Sequence, residues 1–139
     1  MRKHSKNPYA KLRKKARTAF AKWIVKRDGG VCVTCGKSGN QAGHYIHRDC
    51  LDFNEKANSC QCSRCNLWLR GNLPKYTIYL EKKYGYGIVQ ELDRLSWKNR
   101  YFKVSELNEI IEKYGDNKSK QKKNGLSGNS KVQKMHGAI

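Results

Sequence analysis

Cys32-Val-Thr-Cys35 and Cys62-Ser-Arg-Cys65 form two C-x-x-C pairs about 30 residues apart. Two thiolates separated by two residues can turn back on one metal ion, and two such pairs complete the closed tetrahedral shell of a structural Zn2+. A chain of 139 residues with 37% apolar content has material for one domain with a modest core, a shortage that a metal staple would offset. Cys50 and Cys60 are left over. Cys60 could replace Cys62 in the shell, at a less usual spacing to Cys65.

The other use of paired cysteines, a disulfide framework, belongs to oxidising compartments. Here the amino terminus is charged and lacks the apolar stretch of a secretory signal, and no apolar run is long enough to cross a bilayer. The expected location is cytoplasmic, with reduced thiols and no membrane partner.

The net charge of +19 is unevenly distributed. Residues 1–27 hold 11 Lys or Arg and no acid, residues 117–139 hold 6 and no acid, and the centre carries 13 against all 11 acids. A near-neutral centre with two cationic arms suits a polyanion, because each neutralised phosphate releases condensed counterions. DNA is the expected partner.

Between Pro8 and Arg27 the apolar residues Tyr9, Leu12, Ala16, Phe20, Trp23 and Ile24 recur at steps of three and four, which predicts a helix that Asp28-Gly29-Gly30 ends. Its other face carries Lys11, Lys14, Lys15, Arg17, Lys22 and Lys26 and is expected to meet phosphates. Residues 31–35 read as a short strand entering a turn at 36–40, and 42–46 as a second strand. Residues 50–58 read as loop, and 59–69 as a cysteine knuckle continuing into a short helix. Further helices are predicted from Pro74 to Gly85, from Ile88 to Ser96, and after an N-cap at Ser105. The organisation expected is a basic amphipathic helix over 1–27, a zinc-stapled core over 28–73, helices packing on it over 74–116, and a disordered basic tail over 117–139. No internal repeat is evident. Trp23, Trp68 and Trp97 read as core or half-buried, with base stacking by Trp68 as the alternative.

The runs Cys32-Val-Thr-Cys-Gly36, Gln41-Ala-Gly-His-Tyr45, Phe53-Asn-Glu55, Gln61-Cys-Ser-Arg-Cys-Asn66 and Gly71-Asn72-Leu73, with Tyr76, resemble the NinG (lambda Rap-like) family of phage recombination proteins. That family in turn resembles the wider HNH, or ββα-metal, endonucleases. The resemblance covers roughly residues 8–115 and implies an α+β fold, a small zinc-stapled ββα-metal core with surrounding helices. It also implies a metal-dependent endonuclease, acting in a bacterial host cell on branched recombination intermediates such as Holliday junctions and D-loops. Two symmetric cuts in a junction leave a homodimer open.

Phosphodiester hydrolysis needs a group to deprotonate water and a cation to hold the charge growing on the phosphate. His44 fits the first role, because imidazole titrates near neutral pH, and the resemblance assigns the general base to it. The resemblance also makes Asn66, directly after the last cysteine, a ligand of a catalytic Mg2+ or Mn2+. Capping the helix is its other reading.

Two departures from the HNH pattern stand out. Gly43 occupies the place before the base where many HNH sequences carry an acid, so His47, or else Asp49, is expected to supply the second ligand. The central asparagine expected at Ala57 stands instead at Asn58, and Asn54 is the other candidate. Arg48, Arg64 and Arg70 flank these motifs and could grip phosphates. No glycine-rich phosphate loop or Ser-His-acid set is evident, so no nucleotide cofactor is expected. The competing function is a noncatalytic zinc module that binds branched DNA and recruits recombination partners.

Overall fold

A computed structural model describes residues 7–115. The disordered tail expected over 117–139 lies outside the described residues.

Helix α1 spans Pro8–Arg27. The Asn7 side chain accepts a hydrogen bond from the Tyr9 amide at 3.0 Å, and Pro8 opens the first turn, where its missing N–H costs nothing. Ala16, Phe20 and Ile24 are buried along one stripe. The helix stops where Gly29 and Gly30 take φ of +68° and +70°, left-handed values that a Cβ would oppose.

A two-stranded antiparallel sheet follows, β1 (Gln41–His44) paired with β2 (Asn58–Gln61) in the register Gln41 to Gln61 and His44 to Asn58. This differs from the expected hairpin. Residues 31–35 form the first cysteine turn, with a single bridge between Val31 and Ser38, rather than a strand. The second strand is Asn58-Ser59-Cys60-Gln61, a run whose four residues are all buried and which was expected to be loop and knuckle. The amide nitrogens of its Asn58 and Gln61 side chains are buried against acceptors. Gln61 Nε2 donates to Thr34 Oγ1 and the Gly71 carbonyl, and Asn58 Nδ2 donates to the Leu51 and Asn54 carbonyls. The connection between the strands contains a 3-10 turn at Asp49–Leu51 and is closed by Asn54, whose Oδ1 accepts from the amides of Lys56 and Ala57.

Helices α2 (Leu73–Tyr84), α3 (Ile88–Ser96) and α4 (Val104–Tyr114) complete the α+β domain. Helix α4 begins one residue before the expected cap, and the Glu106 carboxylate accepts from the Lys103 amide at 3.0 Å. Helix α1 packs on α4 through Ala16 with Leu107, joined by Phe102 just before that helix, and through Phe20 and Ile24 with Tyr114. A second core joins Leu51 and Ala57 of the inter-strand loop to Tyr76 and Leu80 of α2 and to Ile88 and Leu92 of α3. Side chains alternate across a strand, so Ala42, His44, Asn58 and Cys60 share one face of the sheet and Gln41, Gly43, Ser59 and Gln61 the other. Ala42 packs against the α1–α4 cluster, whereas Tyr76 of α2 donates to the Gly43 carbonyl at 2.8 Å.

Two tryptophans differ from expectation. Trp68 is 83% exposed on the turn after the last cysteine, and Trp97 is 70% exposed just past Ser96, the last buried residue of α3. Trp23 is half-buried, as expected, and packs beside Phe20 and Tyr114. Among the described residues no helix is long and apolar enough to cross a membrane.

Candidate functional site

The four paired cysteines converge at one end of the sheet, their sulfurs all within 4.8 Å of one another. The first turn is closed by the Cys32 amide donating to the Lys37 carbonyl at 2.7 Å and by the Gly36 amide donating to Cys32 at 2.8 Å. The second leaves β2 at Cys62 and runs into a single π-helical turn, Arg64–Trp68. Cys35 Sγ and Cys62 Sγ lie 3.7 Å apart. A tetrahedral zinc with bonds of about 2.3 Å has a sulfur-to-sulfur edge of about 3.8 Å, so the thiols could hold one structural Zn2+. Burial works against ionising the Cys32 thiol, but donors from Thr34 and the Cys62 backbone outweigh it and bring it down to about 6, while its neighbour Cys35 is pushed up to about 11. Cys60 stands apart from this set, fully buried on β2 with its thiol pushed up by burial, and Cys50 is spent on the Leu95 and Ser96 carbonyls.

His44 closes the other end of β1. Its Nε2 faces Asp52 Oδ1 at 3.7 Å, and its ring lies 5.5 Å from that of His47. Asp52 is nearly buried, and its other oxygen accepts from Arg13 Nη2 at 2.7 Å and from Arg17 Nε and Nη2 at 3.1 and 2.7 Å. One carboxylate oxygen is thus saturated by α1 and the other is left to the imidazole. Burial lowers the His44 pKa below its ordinary 6.5, with Asp52 pulling upward and His47 and Arg17 adding to the fall. Burial and the neighbouring cations thus favour the neutral ring.

Asp52 and Arg13 were missed as site residues. Asp52 lies in an irregular loop with no spacing to mark it, but Arg13 and Arg17, four apart on α1, were a usable signal for a shared acid.

The structure brings His47 to His44 and does not bring Asn66 there. Asn66 Nδ2 donates to Gln41 Oε1 at 2.9 Å, on the sheet face opposite His44. Gly43 also has a physical account, because a Cβ there would strike the Gln61 side-chain amide, which its two donated bonds hold in place. Asn58 stands opposite His44 and braces the loop that carries Asp52.

Among the residues expected to meet DNA, Lys11, Lys14, Lys15 and Lys22 are exposed and line a groove between α1 and α4 with Trp23 and Lys113. Arg17 is engaged by Asp52 instead. Arg48 lies over the Trp97 ring at 4.6 Å, and Arg64 and Arg70 are exposed on the cysteine-side turn.

The family model described as Bacteriophage Lambda NinG protein matches residues 1–124. No curated protein and no solved structure matches the chain.

Proposed function

The chain belongs to the NinG family, and on that premise we propose that it is an HNH-type, metal-dependent, structure-selective endonuclease for branched DNA such as Holliday junctions and D-loops. The observation that carries this reading is a half-buried imidazole at a strand end, backed by a carboxylate that two arginines orient. With Nε2 turned to Asp52, the Nδ1 atom of His44 is the one that accepts the proton of the attacking water. Asp52 then stabilises the imidazolium and keeps the ring from turning. Arg48, beside His47, is placed to hold the phosphate backbone. A hydrated Mg2+ or Mn2+ held by His47 and Asp49, which line one cavity, and by the DNA phosphate would supply charge stabilisation at the scissile group. Asn66 would have to leave Gln41 to join them.

One observation favours the noncatalytic module. Among the described residues, the cysteines are the one set of three or more His, Cys, Asp or Glu ligands that converges. Incubating the full chain with a linear duplex, a flap and a four-way junction, with and without Mg2+ or Mn2+, separates the two. The nuclease cuts the branched substrates only with the ion, and His44→Ala lowers the rate by roughly 100-fold or more while junction binding stays close to wild type. Tight binding without cutting under every condition leaves the module.

A further inference from the structure

We propose that the cavity between His47 and Trp97 is a subsite for one unpaired nucleotide of DNA, its base stacked on the Trp97 indole and its phosphate held by Arg48 and Lys98. The cavity measures about 530 Å3, and His47, Arg48, Asp49, Trp97, Lys98 and Arg100 are among its lining residues. Sites for small ligands span about 300–1,000 Å3.

Several observations point to a nucleotide. The Arg48 guanidinium covers part of the indole at 4.6 Å, yet Trp97 is still 70% exposed and can take a second planar partner. The segment from α3 to α4 mixes aromatic and cationic residues, Trp97, Lys98, Arg100 and Tyr101, and Tyr101 is itself 69% exposed. It is anchored, since Phe102 is buried, its carbonyl accepts from Tyr9 Oη at 2.7 Å, and Tyr101 stacks on Tyr9 with ring centroids 5.5 Å apart. Asp49 stands against Arg48, Lys98 and Arg100 in the lining, so the cavity keeps a positive balance. Exposed aromatic rings among cations bind single strands in a sequence-tolerant way, whereas a base inside a duplex is stacked on both sides and cannot lie on an indole.

The subsite rests on the nuclease reading and narrows its substrate. His47 joins the cavity to His44, so the strand entering the site carries an unpaired base beside the scissile phosphate, and flaps or displaced strands fit better than a fully paired junction.

The test is a binding experiment on the full, zinc-loaded chain without added Mg2+ or Mn2+, so that no cutting is required. The probe is a duplex with a single-stranded overhang carrying a fluorescent adenine analogue, compared with a blunt duplex. The wild-type chain quenches the analogue and prefers the overhang. Trp97→Ala loses the quench and about tenfold in overhang affinity with little change on the blunt duplex, and Trp97→Phe restores most of both. Trp68→Ala, which removes the exposed indole on the cysteine-side turn, changes neither. Equal quench and affinity in Trp97→Ala and wild type, or an equal loss on the blunt duplex, overturns the subsite. A chain that cuts nothing but quenches through Trp97 overturns the nuclease and leaves the subsite intact.

Discussion

At the scale of single residues, the behaviour of His44 is set by a balance between burial, which favours the neutral ring, and Asp52, which favours the charged one. Replacing Asp52 by Asn removes the negative charge that raises the imidazole pKa, so an NMR titration should find His44 titrating still lower than in the wild type. The sign for stability follows. A histidine whose folded pKa lies below 6.5 contributes nothing differential at high pH and costs stability as pH falls from 6.5 toward the folded value, because the unfolded chain takes up the proton first. Asp52→Asn widens that window. It also leaves Arg13, whose side chain is only 19% exposed, with the exposed Asp49 at 3.7 Å in place of its close anion, while the half-exposed Arg17 returns to water, and the expected loss is about 2 kcal/mol in denaturant unfolding. Cutting should slow by about tenfold or more because the imidazolium loses its counter-charge. An unchanged titration curve would remove Asp52 from the role given to it.

At the scale of elements, the cysteine end and the His44 end are the two ends of one short sheet, so the staple fixes where β1 starts and with it where His44 points. Cys65→Ser should bind less than one zinc per chain by elemental analysis, unfold at lower temperature and lose protection of the β1–β2 amides in hydrogen exchange. Cys50→Ala should keep the full zinc content, since its thiol bonds only to carbonyls at the end of α3. These elements differed in how far they could be read in advance. Helix α1 was legible because its apolar stripe and terminal signals agree, and α2, α3 and α4 for the same reason. Strand β2 was not legible. Asn58, Ser59 and Gln61 carry no apolar alternation; the Asn58 amide is held by the adjoining loop, and the Gln61 amide by Gly71 and by Thr34, which lies 27 residues earlier in the chain. Distance along the chain also hid the site's second half. His44 and the cysteines announce themselves by spacing, whereas Asp52 becomes a site residue only when α1 crosses the sheet and lays Arg13 and Arg17 over it.

At the scale of the whole molecule, α1 separates two cationic surfaces. At 100° per residue, Arg13 and Arg17 lie on nearly the opposite side of the helix from the row of Lys11, Lys15, Lys22 and Lys26. One side serves Asp52 and His44, and the other lines the groove toward α4. On the nuclease reading proposed above, a strand held at His44 therefore cannot be the segment that the lysines neutralise, and a branched substrate has a second arm to offer them. Replacing Lys11, Lys14, Lys15 and Lys22 together by Ala should weaken junction binding and flatten the plot of log affinity against log salt by about 2 to 4 units of slope, since each duplex phosphate contact contributes about 0.9. Cutting of saturated junction should be nearly unchanged, because none of the four touches Asp52. Misfolding would not mimic this result. Alanine is the better helix former, and removing the lysines relieves the Lys11–Lys15 and Lys22–Lys26 repulsions, so α1 should be at least as stable as before. If the salt slope stays at its wild-type value, the groove does not carry DNA, and the second arm must be held by residues elsewhere in the chain.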